Sequence, residues 1–198
     1  MKTSIKTLIA TSLTAIVLST AVIVPSASAT EIAPIKKSKV SSFRRISVKG
    51  NVELTIVQGN RSSVTYADDN YGSAKVMQEG DNLKISSTSN ELTKVVVYVT
   101  DIFRIQASEN ALVKTDGKLN TQFLQIFLND NAHADINTKT EGLYTVIEDH
   151  ADLKLSGSTN DHTLVMGDTQ KLTMDKFAAL NTHTNNLEKA IETKVVAK

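Results

Sequence analysis

The chain has 198 residues, with 22 Lys and Arg against 21 Asp and Glu, 40% hydrophobic residues, and neither Cys nor Trp. A near-neutral balance argues against a nucleic-acid binder, which carries a basic face, and against electrostatic adhesion to anionic lipid. Without a thiol there is no disulfide support, and the acylation that anchors a bacterial lipoprotein has nothing to act on.

Lys2 and Lys6 form a short basic start, followed by an apolar run over residues 8–24, then Pro25 and "SASAT". Ala27-Ser28-Ala29 fits the small-residue cleavage pattern of a secretory signal peptide. The expectation is a cleaved signal peptide over residues 1–29. The competing reading is a membrane anchor. The run is marginal for that, because about 20 apolar residues are needed to span a bilayer and this one contains several Ser and Thr. Loss of Lys2 and Lys6 takes the basic count from 22 to 20 against 21 acids, a net of −1. About 169 residues then remain, enough for one domain burying about 70% of its unfolded surface. Residues 30–42, "TEIAPIKKSKVSS", hold the last proline, Pro34, and read as a flexible leader.

From Phe43 the pattern has period two. Ile46 and Val48, then Val52, Leu54 and Ile56, alternate with polar positions, and Gly50-Asn51 and Gly59-Asn60 mark turns. "SSVTYAD", "AKVMQEGDNLKISS" and "TKVVVYVTD" continue in the same manner, with Val, Ile, Thr and Tyr suited to a pleated, half-buried surface. Gly80-Asp81-Asn82 reads as a hairpin turn. No amphipathic helix is expected between residues 43 and 182. In residues 185–198, "NNLEKAIETKVVAK", Leu187, Ala190 and Ile191 stand at i, i+3 and i+4; residues 186–198 read as a C-terminal tail or cap, and the stretch as either a short helix or a last strand with a frayed tail.

From about Ile102 the chain repeats. Segments beginning at His133, Asp152 and Lys171 lie 19 residues apart and align Ala134 with Leu153 and Leu172, Ile136 with Leu155 and Met174, Val146 with Val165, and Asp149 with Asp168. Upstream the spacing is 21, with Ile105 over Ile126 and Val113 over Ala134. Repetition near 20 residues is the signature of a solenoid. The expectation is an all-β, single-domain parallel β-helix or β-solenoid with coils of about 19–21 residues. Each coil would carry two short strands, near residues 134–136 and 144–147 in the first complete repeat, with aliphatic columns inward.

These stretches, with "LQIFLNDNAHADI" and "DLKLSGST", resemble the auto-transporter adhesin head (GIN) domain family over roughly residues 43–185. The resemblance implies an exported bacterial protein with a β-helix-like fold and a surface role. It brings no catalytic motif. Members of that family place Ser-Gly-Ser turns in each repeat. Here Ser156-Gly157-Ser158 keeps the form, whereas Ser108-Glu109-Asn110, Asn129-Asp130-Asn131 and Glu148-Asp149-His150 depart from it.

The residues that could carry chemistry are few. Asp149-His150 and Asp161-His162 suggest an acid–histidine pair, but neighbours in a strand point to opposite faces, so adjacency makes no Ser-His-Asp triad. Asp130, Asp149 and Asp168 would stack about 4.8 Å apart per coil. That spacing suits a cation ladder, and it is near the roughly 5 Å between retaining-glycosidase carboxylates. It equally suits turn residues whose carboxylates bond local backbone. "DDNYGSAKVMQE" matches EF-hand positions 1, 3 and 12 with Asp68, Asn70 and Glu79, but Gly72 and Ser73 fail at positions 5 and 6. His162 and His183 could share a metal only with a third ligand. Tyr66, Tyr71, Tyr98 and Tyr144 look scattered rather than set as a sugar platform. No cofactor is expected. The function expected is an exported, non-enzymatic surface or envelope protein, periplasmic or extracellular. Its partner would be a protein or polysaccharide of the envelope, with self-association through the solenoid end. The alternative is a polysaccharide-binding or -cleaving protein using an acidic face.

Overall fold

Thirteen β-strands and no helix make up the described residues, 40–67, 73–167 and 169–186, of a computed structural model. All of them lie in the unit Pro34–Lys198. The strands are β1 (Arg45–Gly50), β2 (Val52–Gln58), β3 (Ser63–Tyr66), β4 (Lys75–Glu79), β5 (Asn82–Ser87), β6 (Thr93–Val99) and β7 (Arg104–Ser108). They continue with β8 (Leu112–Asp116), β9 (Leu119–Asn120), β10 (Phe123–Leu128), β11 (His133–Ile147), β12 (Asp152–Met166) and β13 (Lys171–Asn186). The segments expected as signal peptide and leader, up to residue 39, and residues 187–198 lie outside the described residues.

All thirteen strands join one sheet. It contains two ladders. In the first, β6, β2, β8 and the start of β11 pair parallel. In the second, β5, β1, β7, β10 and the end of β11 do the same. β11 belongs to both, and β12 and β13 extend both by pairing along their full lengths. Burial alternates along each strand, as in the pattern eBiBeB of β1. One cluster takes Ile46, Ile105 and Ile126 from the second ladder and Leu54, Val113 and Leu153 from the first, each at most 2% exposed. A single sheet without a second layer buries one face only by curling upon itself, so both ladders line the same core.

The register bears out the aligned columns. Ala134 faces Leu153, Ile136 faces Leu155, and Val146 faces Val165, each 19 residues on. Ile105 faces Ile126, and Val113 faces Ala134. The hairpin turn is also found. β4 and β5 pair antiparallel from Glu79 and Asn82, with Gly80 at φ 60 in the first central position, where a II′ turn requires it.

Four expectations are corrected. The strands foreseen at 134–136 and 144–147 are one strand, His133–Ile147, because backbone pairing to β12 continues nearly unbroken through the bend. The 19-residue spacing holds for Leu153 and Leu172 and then slips to 20 at a bulge between Lys154 and Ser156, so Met174 is not in register with Leu155. Ser156-Gly157-Ser158 is not a turn between strands; it lies within β12, opposite Asn137, Thr138 and Lys139. Finally, the stacking order does not follow the chain. β1 and β2 sit between β5–β6 and β7–β8, while β3 and β4 cover that end antiparallel to β6 and β5.

Candidate functional site

The corners between the second ladder and the first carry the acidic column. Glu109, Asp130 and Asp149 hold φ of 59, 58 and 55, the left-handed region. Asp tolerates it because its short side chain bonds backbone locally. The Asp130 carboxylate accepts from the Glu109 N–H at 2.9 Å, and the Asp149 carboxylate accepts from the Asp130 N–H at 3.0 Å. The repeated Asp-Asn-Ala and Asp-His-Ala motifs are therefore one corner written twice. Lys49 meets Glu109 at 2.8 Å, and this bond holds its ammonium above the usual lysine range. Asp168 lies outside the described residues.

The histidines do not converge. His133 contacts Asp152 at 3.2 Å on the surface. His162 is fully buried, and burial pushes its imidazole below the ordinary histidine range. His183 pairs in register with Thr163, on the other face of the sheet from His162. A hydroxyl–imidazole pair does form, with Thr145 Oγ1 2.9 Å from His162 Nε2, but Nδ1 has no hydrogen-bond partner, so no acid orients the ring. Phe177 packs edge-on against this ring, with centroids 5.6 Å apart. Among the described residues no three His, Cys, Asp or Glu are placed to hold a metal. Asp68 and Asn70 of the EF-hand-like stretch lie outside the described residues, and Glu79 pairs with Lys84 at 2.6 Å. No helix of the described residues is long and apolar enough to cross a membrane.

What the sequence concealed is an aromatic strip on the outer face of the second ladder. Register places Arg104, Gln125 and Tyr144 in one column and Gln106, Phe127 and Val146 in the next. The Arg104 guanidinium lies 5.0 Å over the Phe127 ring and is held by Gln125 Oε1 at 2.6 and 2.8 Å. Phe127 and Tyr144 rings tilt together at 5.9 Å. Phe123, 50% exposed, lies over Gly142, where a Cβ would stand 2.8 Å from its ring. The tyrosines alone look dispersed. Folded on the 19–21-residue period together with the phenylalanines, Phe123, Phe127 and Tyr144 fall into adjoining columns, and that was the available signal. On the outer face of the first ladder an open groove of about 560 Å³ is lined by Lys118, Asp135, Lys154, Asp175 and Lys176. Its charges alternate in sign, and Lys154 binds Asp135 at 2.8 Å.

By class this is an all-β protein of one curled, largely parallel sheet, with an aromatic and arginine strip outside and no assembled triad or metal cluster among the described residues. The chain belongs to the family described as "Putative auto-transporter adhesin, head GIN domain", which it matches over residues 42–186. Its fold is similar to those of a "putative adhesin" from Parabacteroides distasonis (TM-score 0.58, 12% identity, 77% of each chain covered) and one from Parabacteroides merdae (0.55, 13%, 77% of this chain and 76% of that). A "putative lipid binding protein" from Parabacteroides distasonis is similar as well (0.52, 12%, 77% of each). No curated protein matches the chain.

Proposed function

We propose that the chain is an exported, non-enzymatic module of the cell envelope or surface, built as a parallel β-solenoid, which holds a partner protein against the strip of Arg104, Phe123, Phe127 and Tyr144. The strip is the observation that carries this reading. Exposed aromatics beside an arginine are the composition of interface hot spots, and large apolar side chains grouped on an otherwise polar surface mark contact sites. Parallel pairing at offsets of 19 to 21 residues supports the coiled path. Export draws on the signal-like start of the sequence and on family membership.

The test is retention of envelope proteins and polysaccharides by purified residues 30–198, with reducing-sugar release measured on whatever is retained. Phe123→Ser with Arg104→Glu is expected to weaken capture of an envelope protein by about thirtyfold or more, at an unchanged melting temperature. Undiminished capture would overturn the assignment of the strip. Polysaccharide retention that depends on Asp130 and Asp149 instead, above all with sugar release, would favour the acidic-face alternative.

A further inference from the structure

The two ends of the sheet are finished differently. At one end the chain supplies its own cover: β3 runs antiparallel along β6 of the first ladder, and β4 antiparallel along β5 of the second. At the other, among the described residues, β13 pairs only with β12. One strand back, Leu153 and Leu155 are at most 1% exposed, whereas Leu172, Met174 and Phe177 of β13 are only partly buried and Leu180 is 80% exposed. Uncovered apolar surface thus runs from Leu172 to Leu180. The edge also lacks the usual protection, since no Asp, Glu, Lys, Arg, Pro or Gly occurs from Phe177 to Asn185. Register gives the direction of each side chain along β13. Leu172, Met174 and Phe177 pack against the core, and Ala179, Thr182 and Thr184 pair with the buried Thr159, His162 and Leu164. Single outward residues separate these positions, except at two exposed outward pairs, Asp175-Lys176 and Leu180-Asn181. From Lys171 to Asn185 that order is the same read in either direction from Ala178.

We propose that β13 pairs with β13 of a second copy of this chain, antiparallel about a two-fold axis through Ala178. The fold sets the position of the axis. Ala178 is in register with Ser158 and, through it, with Lys139. Lys139 lies between the part of β11 that pairs with β8, residues 133–135, and the part that pairs with β10, residues 142–147. Ala178 therefore stands at the bend, and a two-fold there lays the first-ladder arm of one copy on the second-ladder arm of the other. Each arm receives one antiparallel strand, the same finish that β3 and β4 give the opposite end. Core-facing residues then meet core-facing residues: Leu172 opposite Thr184, Met174 opposite Thr182, and the large Phe177 opposite the small Ala179. On the outside, Asp175 lies opposite Asn181, and the methylenes of Lys176 cover the exposed Leu180. No two like charges stand opposite each other. Pairing from Lys171 to Asn185 supplies on the order of ten backbone hydrogen bonds, the number found in a standard interface. A different strand would have to repeat both outward pairs at the same spacing, whereas a second copy carries them already. The contact uses the same edge on both copies, so it closes as a dimer and leaves no β13 edge from which a fibre could grow. The inference rests on strand register and burial, not on the partner-binding strip, and its failure leaves that reading standing.

Sedimentation of the full chain should show a dimer at micromolar concentration. The chain has no cysteine, so an introduced one reports cleanly. Ala178→Cys is expected to link two chains by a disulfide, because the axis sets residue 178 opposite itself with Cα atoms about 4.5–5.5 Å apart. Ser158→Cys, in the same column one strand back, lies roughly three strand spacings, about 14 Å, from its copy and should form none. Leu180→Lys sets a second cation against Lys176 and is expected to weaken the dimer about tenfold or more, with the far-UV circular dichroism of the parent retained. Adding Lys176→Glu to that variant should restore the parent affinity. A chain that stays monomeric, its edge taken by its own continuation or by another protein, overturns the proposal. So does a dimer that Leu180→Lys leaves intact, or one that Ser158→Cys links as readily as Ala178→Cys.

Discussion

Asp130 and Asp149 hold backbone that L-residues adopt at a cost of about 1–2 kcal/mol, and each offsets that cost by accepting the N–H of the corner before it. Asn keeps both the local tolerance and the acceptor, and Ala keeps neither. Asp130→Asn is therefore expected to leave urea stability near that of the parent, and Asp130→Ala to lose about 2 kcal/mol. A cation ladder on the same column requires a different outcome, a calcium-dependent rise in melting temperature at fixed ionic strength that Asn at both corners removes. His162 makes a second residue-scale prediction. Its folded-state imidazole titrates below the ordinary value, so between the two values the unfolded chain binds more protons. Its contribution to stability is complete above about pH 6.5 and is lost as pH falls below that toward the folded-state value. Urea midpoints should fall between pH 7 and 5 with a slope that His162→Gln flattens. An equal slope in the variant would assign the acid sensitivity elsewhere.

Within β12, Gly157 sits at φ 100, in register with Thr138, where a Cβ would meet the Thr138 carbonyl oxygen at 2.0 Å. Neither backbone can yield without breaking the ladder between β11 and β12. Gly157→Ala should cost at least about 4 kcal/mol or prevent folding, as read by urea unfolding or soluble yield. Gly142 in β11 answers to a different constraint. Its φ is ordinary, and what it spares is the Phe123 ring. Gly142→Val should displace that ring and weaken partner capture while stability changes little. Strand identity and hairpin turn were legible in residues 43–99, because alternation reports a half-buried face and Gly80 reports a positive φ. The merger of two short strands into β11 was not, because Thr138, Thr140 and Gly142 read as a polar break. Thr138 and Thr140 are in fact buried, with hydroxyls bonded to the Leu119 carbonyl and to Thr159.

Across the whole β unit, sequence distance and stacking order part company. Ile46 packs between Leu83 and Ile105, so the layer made first in the chain is inserted between two layers made later. Leu54, fully buried in β2, touches both β6 and β8 through its register partners Val95 and Val113. A simple stack built in chain order could lose one end independently, whereas this arrangement ties β5–β6 to β7–β8 through β1–β2. Leu54→Ala should cost about 2–5 kcal/mol, and hydrogen exchange should show amides of β6 and β8 losing protection together. Loss confined to one of them would mean that the layers open separately.

Period-two alternation, the 19–21-residue spacing and the Asp-rich corners are local or periodic properties, and by themselves they determined an all-β, largely parallel architecture and its aliphatic columns. The placement of β1–β2 between later strands, the bulge after Lys154 and the gathering of Phe123, Phe127, Tyr144 and Arg104 on one face came only with tertiary structure. The reason is physical. A side chain's period records which face it takes, while its neighbours across strands depend on register, and register is set by how the whole sheet closes over a common core.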